Sequence, residues 1–312
     1  MGVKKEDRAQ PGTQRLYGIG EWYGRPFSHL SAEERRSFAR IQKLSKKDRP
    51  QQPCPFRSTA DRVIPCTKEG GVCSLRLYEK RSTGRVLAIG QLCTVCPKRF
   101  EENGLIFRWI GETILSCSEP IVLGQIGFLE KPEGDDEPSG DVGRIDNVLV
   151  VPNSQPLSWC AVEIQAVYFQ GASMKQDFNA ILRARNLRDI PFPAARRQPD
   201  YRSSGPKRLM PQLQIKVPSL RRWGKKMAVV VDRGFFQAMG KMETVNHVSN
   251  CDVAWFVVDY QETEDRAQLI RDRVHFTTLE RSAEGLTAGI PTDLPTFEKR
   301  ISAKLQKHQS VS

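Results

Sequence analysis

The sequence predicts an α/β chain framed by a mixed α+β sheet. Three observations carry this. First, elements alternate as helix, hairpin, helix and then two apolar strands, an order that suits helices laid on a sheet. Second, "KKMAVVVD" and "DVAWFVVDYQ" are apolar without alternation, as strands buried on both faces are. Third, 312 residues with 39% hydrophobic content suffice for a substantial core.

The elements follow in order. Residues 1–50 read as a basic N-terminal arm carrying one helix, "LSAEERRSFARIQKLSKK". Ser31 is its N-cap, Glu33 and Glu34 occupy the first turn, and Phe38, Ile41 and Leu44 recur at helical spacing. Residues 51–100 form a cysteine-rich module broken by turn signals such as "KEGG", with "RVLAIGQL" as a short strand before "CTVC". Residues 101–312 form the remaining core. It opens on a helix-like run, "ENGLIFRWIGETILSC", and an acidic Pro/Gly loop, "EKPEGDDEPSGD". "VGRIDNVLVVP" and "LSWCAVEIQAVYF" then make a hairpin joined through "NSQP". "SMKQDFNAILRARNL" is a helix, a basic insertion spans 183–226, and "LPTFEKRISAKLQKH" is a terminal amphipathic helix.

Charge narrows the partner. The chain carries +12 with a pI near 9.4. Between Arg183 and Lys226 there are 13 Lys or Arg against Asp189 and Asp200. A block of one sign, interspersed with Trp223, Leu209, Leu213 and Ile215, points to a polyanion, nucleic acid above all. DNA contacts are therefore expected within 183–226. No apolar run reaches a membrane span, and the basic N-terminus has no apolar stretch behind it, so a cytoplasmic, intracellular protein is expected. Eight cysteines in that setting are reduced, and a cluster of them reads as a metal site.

Two constellations carry chemistry. In the hairpin, Asp146 lies on the first strand and Glu163 on the second, and antiparallel pairing sets them side by side. Two neighbouring carboxylates repel unless a cation lies between them. With Mg²⁺ they become a ligand pair suited to phosphodiester hydrolysis. Gln165 shares the face of Glu163 and can orient an attacking water. The pattern is that of an aspartate followed by Glu-x-Lys, with Gln in place of Lys. The bland alternative is an edge strand with two solvated polar residues. The second constellation is Cys54, Cys66, Cys73, Cys93 and Cys96, five thiols for the four positions of a closed, structural four-cysteine site holding zinc or a single iron.

"CPFRSTADRVIPC", "GGVCSL", "VCPKRF" and "WCAVEIQAVYFQGA" together resemble the NotI-like type II restriction endonucleases over about residues 54–185. The resemblance implies a PD-(D/E)XK restriction-endonuclease-like core in a Glu-x-Gln variant, with a small four-cysteine metal-binding module. It implies Asp146, Glu163 and Gln165 as catalytic residues, Asp146 and Glu163 as Mg²⁺ ligands, and one structural iron on Cys54, Cys66, Cys73 and Cys96. Cys93 is then left out, against the attraction of "CTVC". Glu112 is a further acidic candidate. A homodimer that cuts a palindromic, GC-rich DNA site to 5′-phosphate ends is implied too. The rival readings are a non-catalytic DNA-binding regulator built on the four-cysteine module and a repair or structure-specific nuclease.

Overall fold

The structure, a computed structural model, describes residues 13–45, 47–129, 143–184, 190–263, 265–287 and 292–309. The acidic loop at 130–141 lies outside these, as do residues 185–189 of the basic segment. Two sheets organise the rest. The smaller has the order β2-β1-β3-β4, from β1 (Gln14–Trp22), β2 (Arg25–Pro26), β3 (Val72–Lys80) and β4 (Val86–Thr94). Residues 14–22 are thus not an arm but a strand paired antiparallel to the cysteine-rich segment. Helix α1 (Ala32–Ile41) starts on Ser31, which forms a capping box with Glu34 as the sequence suggests. Phe38 packs edge-on to Trp22, whereas Leu44 falls beyond the helix end and is exposed.

The larger sheet has the order β12-β11-β10-β7-β6-β5. It comprises β5 (Ile121–Leu129), β6 (Gly143–Val150), β7 (Trp159–Ile164), β10 (Met227–Asp232), β11 (Val253–Glu262) and β12 (Ala267–Thr277). β10 runs parallel to both β7 and β11, and the remaining pairs are antiparallel, so the sheet is mixed as the sequence predicts. Every residue of β10 is buried, which explains its lack of alternation. A short ribbon of β8 (Phe169–Gly171) and β9 (Arg197–Pro199) lies between.

Helices cover both faces of the large sheet. On one, α2 (Leu105–Ile110) sets Ile106, Trp109 and Ile110 against Val162, Val230 and Phe256. On the other, α5 (Met210–Arg222) sets Leu213, Val217 and Leu220 against Ala161, Val229 and Trp255. The basic segment is therefore not an appended insertion, because its helix is half of this layer. Helices α3 (Lys175–Arg183), α4 (Tyr201–Ser204), α6 (Arg233–Ala238), α7 (Leu279–Thr287) and α8 (Leu294–Gln309) complete the chain. Phe178 of α3 stacks on Trp22 at 5.1 Å and so covers the small sheet. No helix among the described residues is long and apolar enough to cross a membrane.

One buried cation joins the sheets. Arg99, fully buried, bonds Glu21 of β1 at 3.0 Å and Glu102 at 2.8 Å, and donates to the carbonyl of Ala267 in β12. Glu102 in turn accepts from the backbone of Leu269 at 2.7 Å. The aromatic rings of Phe56 and Tyr260 lie 4.3 and 4.7 Å from its guanidinium carbon. Removing one partner of such a buried pair strands the other charge away from water. Arg99→Leu should lose about 3–5 kcal/mol of stability in urea unfolding. An unchanged midpoint would mean that the clasp contributes nothing.

Candidate active site

The hairpin register puts the expected residues together. Asn147 pairs with Val162, so the next step along the ladder sets Asp146 opposite Glu163. Their side chains are close enough for the Asp146 charge to act on Glu163. Asp146 is exposed while Glu163 is 7% and Gln165 9% exposed, so β7 is an interior strand and the solvated-edge alternative fails. The Glu163 carboxyl is pushed up to about 7, first by burial and then by the Asp146 charge, against the pull of Lys216. Gln165 lies just past the end of β7, where its backbone N–H still donates to Val230 at 3.0 Å. Its side-chain Nε2 donates to the Ala166 carbonyl at 2.6 Å.

The cation beside Glu163 comes from elsewhere. Lys216 of α5 places Nζ 2.8 Å from Glu163 Oε2, and the lysine is 4% exposed. Sequence reasoning missed it among the 13 basic residues of its segment. A signal existed: Leu213, Lys216, Val217 and Leu220 fall at i, i+3, i+4 and i+7, so the lysine occupies an apolar stripe.

Two clefts meet at Asp146. One, of about 590 Å³, is lined by Lys68, Asp146, Glu163, Gln165, Tyr168 and Arg197 among others. The other, of about 650 Å³, is lined by Arg57, Lys98, Gln125, Asp146 and Asn147 among others. Lys68, Arg57 and Lys98 belong to the cysteine-rich segment, which therefore forms one wall. Glu112 does not line either cleft; it is exposed and bonds Arg271 of β12 at 2.7 Å.

The five clustered cysteines keep different neighbours. Cys54 and Cys66 sit on stretches of chain tied by a Pro53–Pro65 bridge, with Cys66 N donating to Gln52 at 2.7 Å. Cys96 N donates to the carbonyl of Cys73 at 3.2 Å. Burial raises the Cys66, Cys73 and Cys96 thiols, and charges among this group add to the rise: Cys54 and Cys96 on Cys66, Cys96 on Cys73, Cys54 on Cys96. Cys93 keeps other company. Its thiol lies 3.8 Å from the Tyr201 hydroxyl and is pushed up to about 12 by burial, then by Asp232. Among the described residues, no three His, Cys, Asp or Glu side chains stand closed in metal-binding geometry.

Paired carboxylates at the meeting of two clefts with basic walls suit one task above others, hydrolysis at a phosphate. The mixed sheet with helices on both faces and this candidate site suit a nuclease. A family model described as restriction endonuclease NotI matches residues 39–270, about three quarters of the chain. The chain belongs to the NotI restriction endonuclease family. It is a DNA-hydrolysing enzyme of the type II, site-specific kind, and not a non-catalytic regulator. No curated protein matches the chain. With Glu112 held on the far edge of the sheet, Glu112→Gln should cut plasmid DNA at the parental rate. A large loss of rate would bring Glu112 into the site.

Proposed function

We propose that this enzyme is Mg²⁺-dependent and, as a homodimer, cuts both strands of a palindromic, GC-rich DNA site. The observation that carries this reading is the contact of Asp146 with Glu163 on the cleft floor. The donor set fits a hard divalent cation, since both groups are carboxylates and their mutual repulsion favours a positive charge between them. Such an ion, when bound, supplies neutralisation at the scissile phosphate and an acidified water. Asp146 and Glu163 would hold it. Gln165, whose amide nitrogen is committed to Ala166, retains its carbonyl oxygen to accept a hydrogen bond from the attacking water and align it. Water attacks phosphorus opposite the 3′ oxygen, the P–O3′ bond breaks, and the phosphate stays on the 5′ end.

A two-fold symmetric site calls for two copies of the chain, each cutting one strand. The described basic residues of the segment that are exposed and outside its ion pairs, Arg183, Arg196, Arg202, Lys207, Arg208 and Arg222, are the donors available for guanine edges and phosphates. Arg208 lies 3.5 Å over the ring of Tyr168, which lines the first cleft. Such an enzyme meets its substrate in the cytoplasm.

The Cys54, Cys66, Cys73 and Cys96 thiols are a donor set for one structural metal that would draw them together, iron by family resemblance and zinc by donor chemistry alone. Their burial and mutual charge favour a cation that draws off the protons. Elemental analysis with thermal melting tests the set. Cys73→Ser should lose both metal and melting temperature, and Cys93→Ser should keep its metal. Retention of full metal by Cys73→Ser would remove it from the set. For the cleavage site, supercoiled plasmid with Mg²⁺ should yield discrete fragments with the parent and none with Glu163→Gln, which should still retard specific DNA. Fragments from Glu163→Gln at the parental rate would refute the site.

A further inference from the structure

We propose that Lys216 is a positioning residue of the cleavage centre, supplying from helix α5 the positive charge that Gln165 does not supply from the strand. The inference rests on the Asp146–Glu163 reading above. Three observations carry it. Lys216 occupies a stripe position otherwise held by Leu213, Val217 and Leu220, all within the core against the sheet. An aliphatic residue there would bring no charge into the core, whereas an ammonium must give up its hydration before pairing returns any of that cost. Its stem runs through that core and its Nζ emerges 2.8 Å from Glu163 Oε2, at the carboxylate that borders the cleft. The residue two beyond Glu163 is a neutral amide, with its nitrogen already bonded to Ala166.

The placement has a definite consequence for Glu163. Asp146 approaches from the neighbouring strand and repels it, while Lys216 approaches from the helix layer and holds it. A carboxylate gripped from one side keeps a single orientation, with its other lone pairs turned to the cleft. Two carboxylates and one ammonium leave one net negative charge in the site, so a divalent cation can bind without facing an unscreened pair. A buried ion pair elsewhere in the fold would have neither property. The Arg197–Asp177 pair is also buried, but Asp177 accepts from the Ala194 backbone and Arg197 donates to the carbonyls of Tyr17 and Ala172, so that pair ties loops together.

The test is a set of variants of the full chain assayed for single-turnover cleavage, for binding of specific DNA in Ca²⁺, and for thermal melting. Lys216→Met keeps length and apolar packing. It should slow the cleavage step about 100-fold, as removal of one preorganised charge does, with specific binding held near the parent, while the melting temperature falls because Glu163 loses its buried partner. Placing lysine on the strand in that background, by Gln165→Lys, should recover part of the lost rate. A purely structural lysine predicts otherwise: binding falls together with the rate, and Gln165→Lys recovers nothing. Either that pattern or parental cleavage by Lys216→Met overturns the proposal. Glu163→Gln run beside it separates the two readings. If Glu163→Gln is inactive and Lys216→Met cuts normally, the role of Lys216 alone falls. If Glu163→Gln also cuts normally, the site itself is misplaced.

Discussion

Two carboxylates that meet across neighbouring strands form the constraint on which the rest of this structure depends. Asp146 and Glu163 are brought together by a hairpin ladder that admits no other register without turning a buried face to water. Proximity raises the energy of both charges, and burial of Glu163 raises it further. Relief must come from cations. One is built in through Lys216, and the cleft leaves room for another. The strand context explains how so unfavourable a pair persists. β7 is clamped between β6 and β10, and its hydrogen bonds and apolar contacts on both faces fix the backbone whatever the side chains do. Local strain at the site is thus sustained by the packing of the sheet.

The small sheet and its cysteines act on this site through specific contacts. Thr94, at the end of β4, accepts from the Val167 backbone at 2.7 Å and donates its own N–H to buried Asp232 at 2.8 Å. The first bond fixes the chain two residues beyond Gln165. The second fixes the end of β10, the strand parallel to β7. Two residues further along, Cys96 opens the turn that carries Arg99, the fully buried bridge between the sheets. A metal holding Cys96 to Cys73 would therefore stiffen the same segment that braces the cleft. The position of Lys68, Arg57 and Lys98 along the cleft walls follows from this attachment.

Much of the site is legible in the amino-acid sequence. Asp146 and Glu163 can be paired because a hairpin with a short connection leaves few registers, and side chains alternate. Spacing favours "CTVC" and the resemblance favours Cys54, Cys66, Cys73 and Cys96; the structure adds that Cys93 belongs to a strand. β4 extends through Thr94, which sends the Cys93 thiol toward Tyr201 and leaves Cys96 to turn back on Cys73. β1 is not legible, since "QRLYGIGEW" is polar at its start and carries glycines that weaken a strand signal. Gly20 shows why one of them is there: a Cβ would come within 2.8 Å of Leu92. Lys216 is hidden by composition, because a basic residue in a basic block draws no attention.

That last failure bears on how charge in such segments should be read. The block from Arg183 to Lys226 suggests a surface given over to a polyanion. In the fold, several of its members are spent internally. Arg197 is committed to Asp177, Lys216 to Glu163, Arg221 to Asp252 and Glu280, and Lys225 and Lys226 to carbonyls of Leu157, Ser249 and Cys251. These bonds secure helix α5 and the loops around it against the sheet. Net charge measures neither use separately, because a cation that closes a core and a cation that greets a phosphate count alike. What distinguishes them is periodicity. A lysine in phase with the apolar stripe of a helix must find its counter-charge inside the protein, as Lys216 does at Glu163.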